Sequence, residues 1–122
     1  MKAAVYTKYG QPDVVQIKQV DMPVPNENEV LIKVFASTVN RTDCGFRKPE
    51  YPVIIRPIHG LFKPKKEILG SEFAGVVDSV GKDVKLFKKG DQVFGTAGPR
   101  FGANAEYKCI PEDGVLAIKP GN

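Results

Sequence analysis

The sequence has no tryptophan, two cysteines and a single histidine among its 122 residues. Each scarcity excludes something. Cys44 and Cys109 cannot build a four-cysteine zinc lobe. They could close one disulfide, but nothing marks the chain as secreted. The opening "MKAAVYTKYG" lacks the apolar stretch of a signal peptide. No run approaches the roughly 18 apolar residues that span a bilayer. These features predict a cytoplasmic protein with free thiols that act as small apolar packers. Charge of one sign is also scarce: 18 basic residues against 14 acidic ones leave a formal +4. The densest basic cluster, Lys63, Lys65 and Lys66, is broken by Pro64. It reads as a solvated loop and implies no nucleic-acid partner. No G-x-G-x-x-G lies between a strand and a helix, and Gly95, Gly98 and Gly102 have the wrong spacing. There is no internal repeat.

What is present is a period of two. Residues 2–7, 14–20, 29–38, 73–81, 91–96, 105–110 and 115–119 all read as strands. In the third, Val30, Ile32, Val34 and Ala36 are expected on one face. "KYGQPD", "PVPNEN", "KKGD" and "PEDG" carry the Gly, Pro, Asn and Asp that tight reversals need. Short strands at this spacing predict a single mainly β domain, a barrel or a sandwich, over residues 1–122. Only "RTDCGF" suggests a helical turn. Residues 46–69 are different, with Pro49, Pro52, Pro57 and Pro64 and no sustained period. They read as a surface excursion or as one wall of a pocket mouth, and as the least protected part of the domain against hydrogen exchange.

Two stretches carry candidate chemistry. "ASTVNRTDCG", residues 36–45, crowds Asn40, Arg41, Thr42, Asp43 and Cys44 at the exit of an apolar strand. "LGSEFAGVVDSVGKDVKLFKKGDQVFG", residues 69–95, places Glu72 at the head of another, where it is expected near the interior as a buried carboxylate.

The second stretch resembles the signature of the medium-chain dehydrogenase/reductase superfamily. Gly70, Glu72, Gly75, Val77, Val80, Gly81, Gly90, Asp91 and Val93 match a pattern that runs from Gly-His-Glu through Gly-x-Val-x-x-Val-Gly to Gly-Asp-x-Val. The first 37 residues and "FGANAEYKCIPED" are similar to the same family, so the resemblance covers nearly the whole chain. It implies a GroES-like, partly open β-barrel with one or two short helical turns. Two departures stand out. Where the zinc alcohol dehydrogenases of this superfamily carry a cysteine and a histidine ligand, this chain has Asn40 and Ser71. A carboxamide and a hydroxyl are poor zinc ligands. Asn40 followed by Asp43, with Gly-Ser-Glu downstream, resembles instead the zinc-independent quinone oxidoreductase branch.

That resemblance implies the N-terminal catalytic domain of an enzyme passing hydride from NADPH or NADH to a quinone or an activated alkene or carbonyl. It implies no metal. The Rossmann dinucleotide-binding domain is expected outside this chain, with the cofactor in the cleft between the two domains. The full-length protein is expected to be a homodimer that does not enter membranes, and the present chain alone is expected to fold without catalysing. By the same resemblance, Asn40, Thr42 and Tyr51 are the candidate catalytic residues, and Asn40 and Arg41 contact the cofactor. Asn40 also suits a strand end, where it would satisfy backbone groups. Thr42 equally suits a helix N-cap, and Tyr51 also suits wall packing. Asp43 and Glu72 are expected to orient their neighbours. Two further readings stand beside this one: a stand-alone GroES-like binding or assembly module, and a zinc alcohol dehydrogenase with an atypical site.

Overall fold

A computed structural model describes residues 1–47 and 67–120. The prolines, Tyr51, His59 and the lysine cluster of the long irregular segment lie outside the described residues, as does most of the segment whose weak protection was expected. Among the described residues there are seven strands: β1 (Lys2–Val5), β2 (Gln16–Gln19), β3 (Glu29–Ser37), β4 (Glu72–Val80), β5 (Gln92–Thr96), β6 (Tyr107–Pro111) and β7 (Leu116–Ile118). Each falls on a run whose alternation predicts it. The turn over "RTDCGF" is a short helix, α1 (Arg41–Arg47).

Five strands form one antiparallel sheet in the order β6-β3-β4-β5-β7, and β1 and β2 form a separate ribbon. Bridges from Ala3 to Ala105 and from Val5 to Ile68 fasten that ribbon near the larger sheet without closing it. The fold is a mainly β, GroES-like, partly open barrel. The two sheets differ in how far they are buried. All of β2 is exposed, whereas Val30 and Ile32 of β3 are fully enclosed with Phe73, Val77, Val93, Ala103 and Ile110. A two-stranded ribbon has little stability of its own, and here the bridged residues Ala3 and Val5 of β1 are also buried.

The expected face of β3 holds for Val30 and Ile32, and Val34 packs against the same cluster. It fails at Ala36, which is exposed. The β3–β4 register shifts between Val34 and Ala36 and again between Leu31 and Ile32. One extra residue in a ladder reverses the alternation beyond it. The first of these along the chain, between Leu31 and Ile32, puts its extra residue, Asp78, in β4, so Val30, Ile32 and Val34 keep one face. The second turns the end of β3 outward just before Asn40. The strand therefore leaves the sheet with its polar exit residues beside the start of β4.

Past that exit, α1 is tied down at its far end. Arg47 donates from Nε to the carbonyl of Gly10 at 3.2 Å, and the Gly10 amide donates back to the Arg47 carbonyl at 2.9 Å. Among the described residues no helix is long and apolar enough to cross a membrane.

Candidate active site

Asn40 is the N-cap of α1. Its carbonyl accepts the first helical hydrogen bond, from the Cys44 amide at 3.2 Å. Its side-chain Oδ1 accepts from the Asp43 amide at 3.1 Å, and Asp43 Oδ2 accepts from the Asn40 amide at 3.1 Å. This reciprocal pair is a capping box built with Asn and Asp, and it satisfies two donors that a helix start would otherwise leave open. The backbone role anticipated for Asn40 is therefore real. It uses only half of the side chain. The other half, Nδ2, donates to Ser71 Oγ at 2.9 Å.

That bond joins the two positions where the zinc enzymes place ligands. Residues that would bind one metal must lie within a few ångströms of each other, and their substitutes inherit that proximity. Ser71 is buried, and its carbonyl accepts from the Ala97 amide at 2.6 Å. Sequence reasoning treated Ser71 only as a lost ligand. The signal that could have found it was the pairing of positions 40 and 71.

Asp43 completes the corner. Its second oxygen, Oδ1, accepts from the Gly70 amide at 3.2 Å, and the residue is 2% exposed. Gly70 adopts φ +102°, and a Cβ there would lie 2.5 Å from the backbone nitrogen of Asn104. On the other side of this segment, the carbonyls of Leu69 and Gly70 accept from Asn104 and Ala103, both at 3.0 Å. Residues 69–71 are thus clamped between the helix start and the loop that follows β5.

The expectation of a buried Glu72 is wrong. Glu72 is exposed and accepts a hydrogen bond from the Thr38 hydroxyl at 2.6 Å. β4 begins at Glu72, so its alternation places Glu72 outward and Phe73 inward. Glu72 lines an outward groove of about 410 Å³ with Thr38, Phe94 and Val115. The buried carboxylate of this corner is Asp43.

Of the other candidates, Arg41 is the first residue of α1 and is exposed. Thr42 is the second residue of the helix; the N-cap role weighed for it belongs to Asn40. Tyr51 lies outside the described residues. Both cysteines are free and half-buried. Burial pushes the Cys109 thiol up to about 11, with the Glu29 carboxylate adding to the rise and Lys108 opposing it. A thiol so far from its thiolate is a poor nucleophile at neutral pH. Among the described residues no three His, Cys, Asp or Glu side chains converge as a metal site.

Residues 26–120 match the alcohol dehydrogenase GroES-like domain. The chain belongs to that family, within the medium-chain dehydrogenase/reductase superfamily. This GroES-like domain is 36% identical to an NADPH-dependent alkenal/one oxidoreductase of Arabidopsis thaliana, across 100% of the chain and 32% of that protein. It superposes on a quinone oxidoreductase from Coxiella burnetii with a TM-score of 0.84 and 32% identity, covering 99% of the chain and 37% of the other. For a quinone oxidoreductase of Escherichia coli complexed with NADPH the TM-score is 0.80 and the identity 30%, over 98% and 33% of the two chains. The domain spans about a third of the length of these relatives.

Proposed function

We propose that this domain forms the acceptor side of a zinc-independent, NAD(P)H-dependent oxidoreductase that reduces a quinone or an activated alkene or carbonyl. The hydrogen bond from Asn40 to Ser71 carries the reading. In a zinc enzyme these two positions would offer lone pairs to a cation. Here the Asn40 oxygen is taken by the Asp43 amide, and its nitrogen is a donor. A carboxamide nitrogen has no lone pair to give a metal. Donors in a buried setting fit a carbonyl oxygen or a nicotinamide carboxamide, and they favour negative charge developing on an acceptor. The named activities of the relatives support the same chemistry.

The nicotinamide, when bound, supplies the hydride. The residues of this chain bind, orient and stabilise. Asn40 has one Nδ2 hydrogen beyond the one given to Ser71, and this donor is assigned to the nicotinamide ribose or the acceptor oxygen. Arg41, exposed at the first turn of α1, is assigned to the cofactor diphosphate. Thr42 keeps the role of a hydroxyl relay, and Tyr51 that of a catalytic residue of the pocket. A Rossmann domain elsewhere in a longer, dimeric protein completes the cleft, and this chain alone folds without turning over. Hydride transfer needs both reactants held in a near-attack geometry, worth about 7–11 kcal/mol in well-oriented systems. One wall of a cleft does not impose it.

The test is the full-length protein washed with chelator. The expected result is quinone- or enone-dependent oxidation of NADPH or NADH with far less than one zinc per chain. Activity that disappears with stoichiometric zinc and returns on its addition would overturn the zinc-independent reading.

A further inference from the structure

We propose that the Ser71 hydroxyl is a catalytic hydrogen-bond donor to the oxygen of the hydride acceptor, and that Asp43 is the positioning residue that aims it through Asn40. This rests on the function proposed above.

The orientation of the chain Asp43–Asn40–Ser71 follows from donor and acceptor chemistry alone. The Asp43 amide can only donate, so the side-chain atom of Asn40 facing it at 3.1 Å must be the oxygen. That settles which way the carboxamide points. Nδ2 then faces Ser71 Oγ at 2.9 Å, and because an amide nitrogen cannot accept, Ser71 is the acceptor of that bond. The hydroxyl proton of Ser71 must point elsewhere. Among the described residues no group accepts it. The residue is only 8% exposed, so bulk water gives it little relief. A buried donor without an acceptor is costly unless something arrives to take the proton's hydrogen bond. The carboxamide also polarises the hydroxyl it donates to, which makes the outgoing donor stronger.

Asp43 fixes this arrangement because both of its oxygens are occupied by backbone donors from different parts of the chain. Oδ2 holds the Asn40 amide and Oδ1 holds the Gly70 amide. The carboxylate therefore sets the distance between the residue carrying the carboxamide and the residue preceding Ser71. An Asp43→Asn change is nearly isosteric, yet it turns an amino group toward one of those two N–H donors.

The acceptor class is an α,β-unsaturated ketone or a quinone. For the enone, hydride from NAD(P)H adds to the β-carbon and forms the new C–H bond. The alkene π pair moves to form the enolate, negative charge gathers on oxygen, and solvent later protonates the α-carbon. NAD(P)H is oxidised and the enone reduced by two electrons. Ser71 keeps its proton throughout and stabilises the developing oxyanion by a hydrogen bond.

The test uses the full-length protein with NADPH, one enone and one quinone. Ser71→Ala is expected to lower kcat by about 10²-fold, with KM changed by less than about threefold. Ser71→Thr, which keeps the hydroxyl, is expected to retain most of kcat. Thermal unfolding of each variant shows whether the fold survives. The infrared carbonyl stretch of a bound saturated ketone, recorded with NADP⁺, is expected at lower frequency in wild type and Ser71→Thr than in Ser71→Ala. Asp43→Asn is expected to lower kcat in the wild-type background and to cost little more in Ser71→Ala. Wild-type kcat and an unshifted carbonyl band in a folded Ser71→Ala protein would overturn the assignment while leaving the proposed function standing. Equal losses from Asp43→Asn in both backgrounds would overturn the positioning role. A wild-type enzyme that reduces neither acceptor would overturn the function itself, and the Ser71 assignment with it.

Discussion

Two carboxylates do the same chemical job at opposite ends of β3. Asp43, near the strand's exit, accepts the amides of Asn40 and Gly70. Glu112, beyond the strand's start, accepts the amides of Lys85 and Leu86, both at 3.0 Å on one oxygen. Each holds two backbone donors. They differ in burial: Asp43 is 2% exposed, while the Glu112 bonds lie at the surface. Water can replace Glu112, because donors at the surface find new acceptors when a side chain is removed. It cannot easily replace Asp43, whose loss would leave donors stranded in the interior. The hydrogen-bond pattern is alike at both ends, and only one end is committed to a single geometry. That end carries the Asn40–Ser71 pair.

Two glycines widen the contrast, and substituting them gives the largest expected difference. Gly70 and Gly90 both adopt positive φ, +102° and +94°. A Cβ at Gly70 would meet the Asn104 backbone nitrogen at 2.5 Å, whereas at Gly90 nothing lies within 4 Å. Gly90→Ala carries only the backbone strain, about 1–2 kcal/mol. Gly70→Ala adds a collision with backbone, for a total of about 3–5 kcal/mol. Urea unfolding of the two variants checks this, and equal midpoints would show that residues 69–71 are free to yield.

Next in size is the carboxylate comparison itself. Asp43→Ala is expected to destabilise the domain by about 3 kcal/mol, as the buried Gly70 amide and the part-buried Asn40 amide lose their carboxylate acceptor. Glu112→Ala is expected to cost less than about 1 kcal/mol. Thermal unfolding monitored by circular dichroism reads both. Losses of similar size would mean that burial does not separate the two ends.

The smallest effect concerns pH. The Cys109 thiol, pushed up to about 11 from 9.0, is held neutral in the folded state. Unfolded chains release this proton first as pH rises. The contribution of Cys109 to stability is therefore intact below pH 9.0 and is lost as pH rises toward about 11. The stability difference between wild type and Cys109→Ser should drift against the wild type across that window. Alkylation of Cys109 by iodoacetamide should also keep accelerating to higher pH in folded than in urea-unfolded protein. Coincident pH profiles would show that burial does not perturb the thiol.

The strands were legible because a half-buried strand writes its period into the sequence, and "VLIKVFA" or "FAGVVDSV" can hardly be misread. The reversal at Ala36 was not legible. A bulge is a property of the ladder between two strands, and neither strand's composition marks it. The exchange of roles between Asp43 and Glu72 has the same origin. Both acids flank apolar runs, and which one is buried depends on where β4 starts and where α1 sets its cap. Asn40 was legible as a candidate from the polar crowding at the strand exit, and the family pattern set it at a lost ligand position. Its bond to Ser71 follows from that same pattern once the two ligand positions are taken as one place. Tyr51 and the lysine cluster lie outside the described residues.

The central claim is that the corner made by Asn40 and Ser71 serves hydride transfer as well as helix capping. The most direct measurement is kcat for NADPH-dependent quinone or enone reduction by full-length Asn40→Ala protein, beside its unfolding temperature. Loss of the cap alone costs about 1 kcal/mol of stability and leaves turnover intact. If the carboxamide also donates into the site, kcat falls by about 10²–10³-fold in a protein that remains folded. That fall is the predicted result. Unchanged turnover with a lowered melting temperature would contradict the account and leave Asn40 a helix cap.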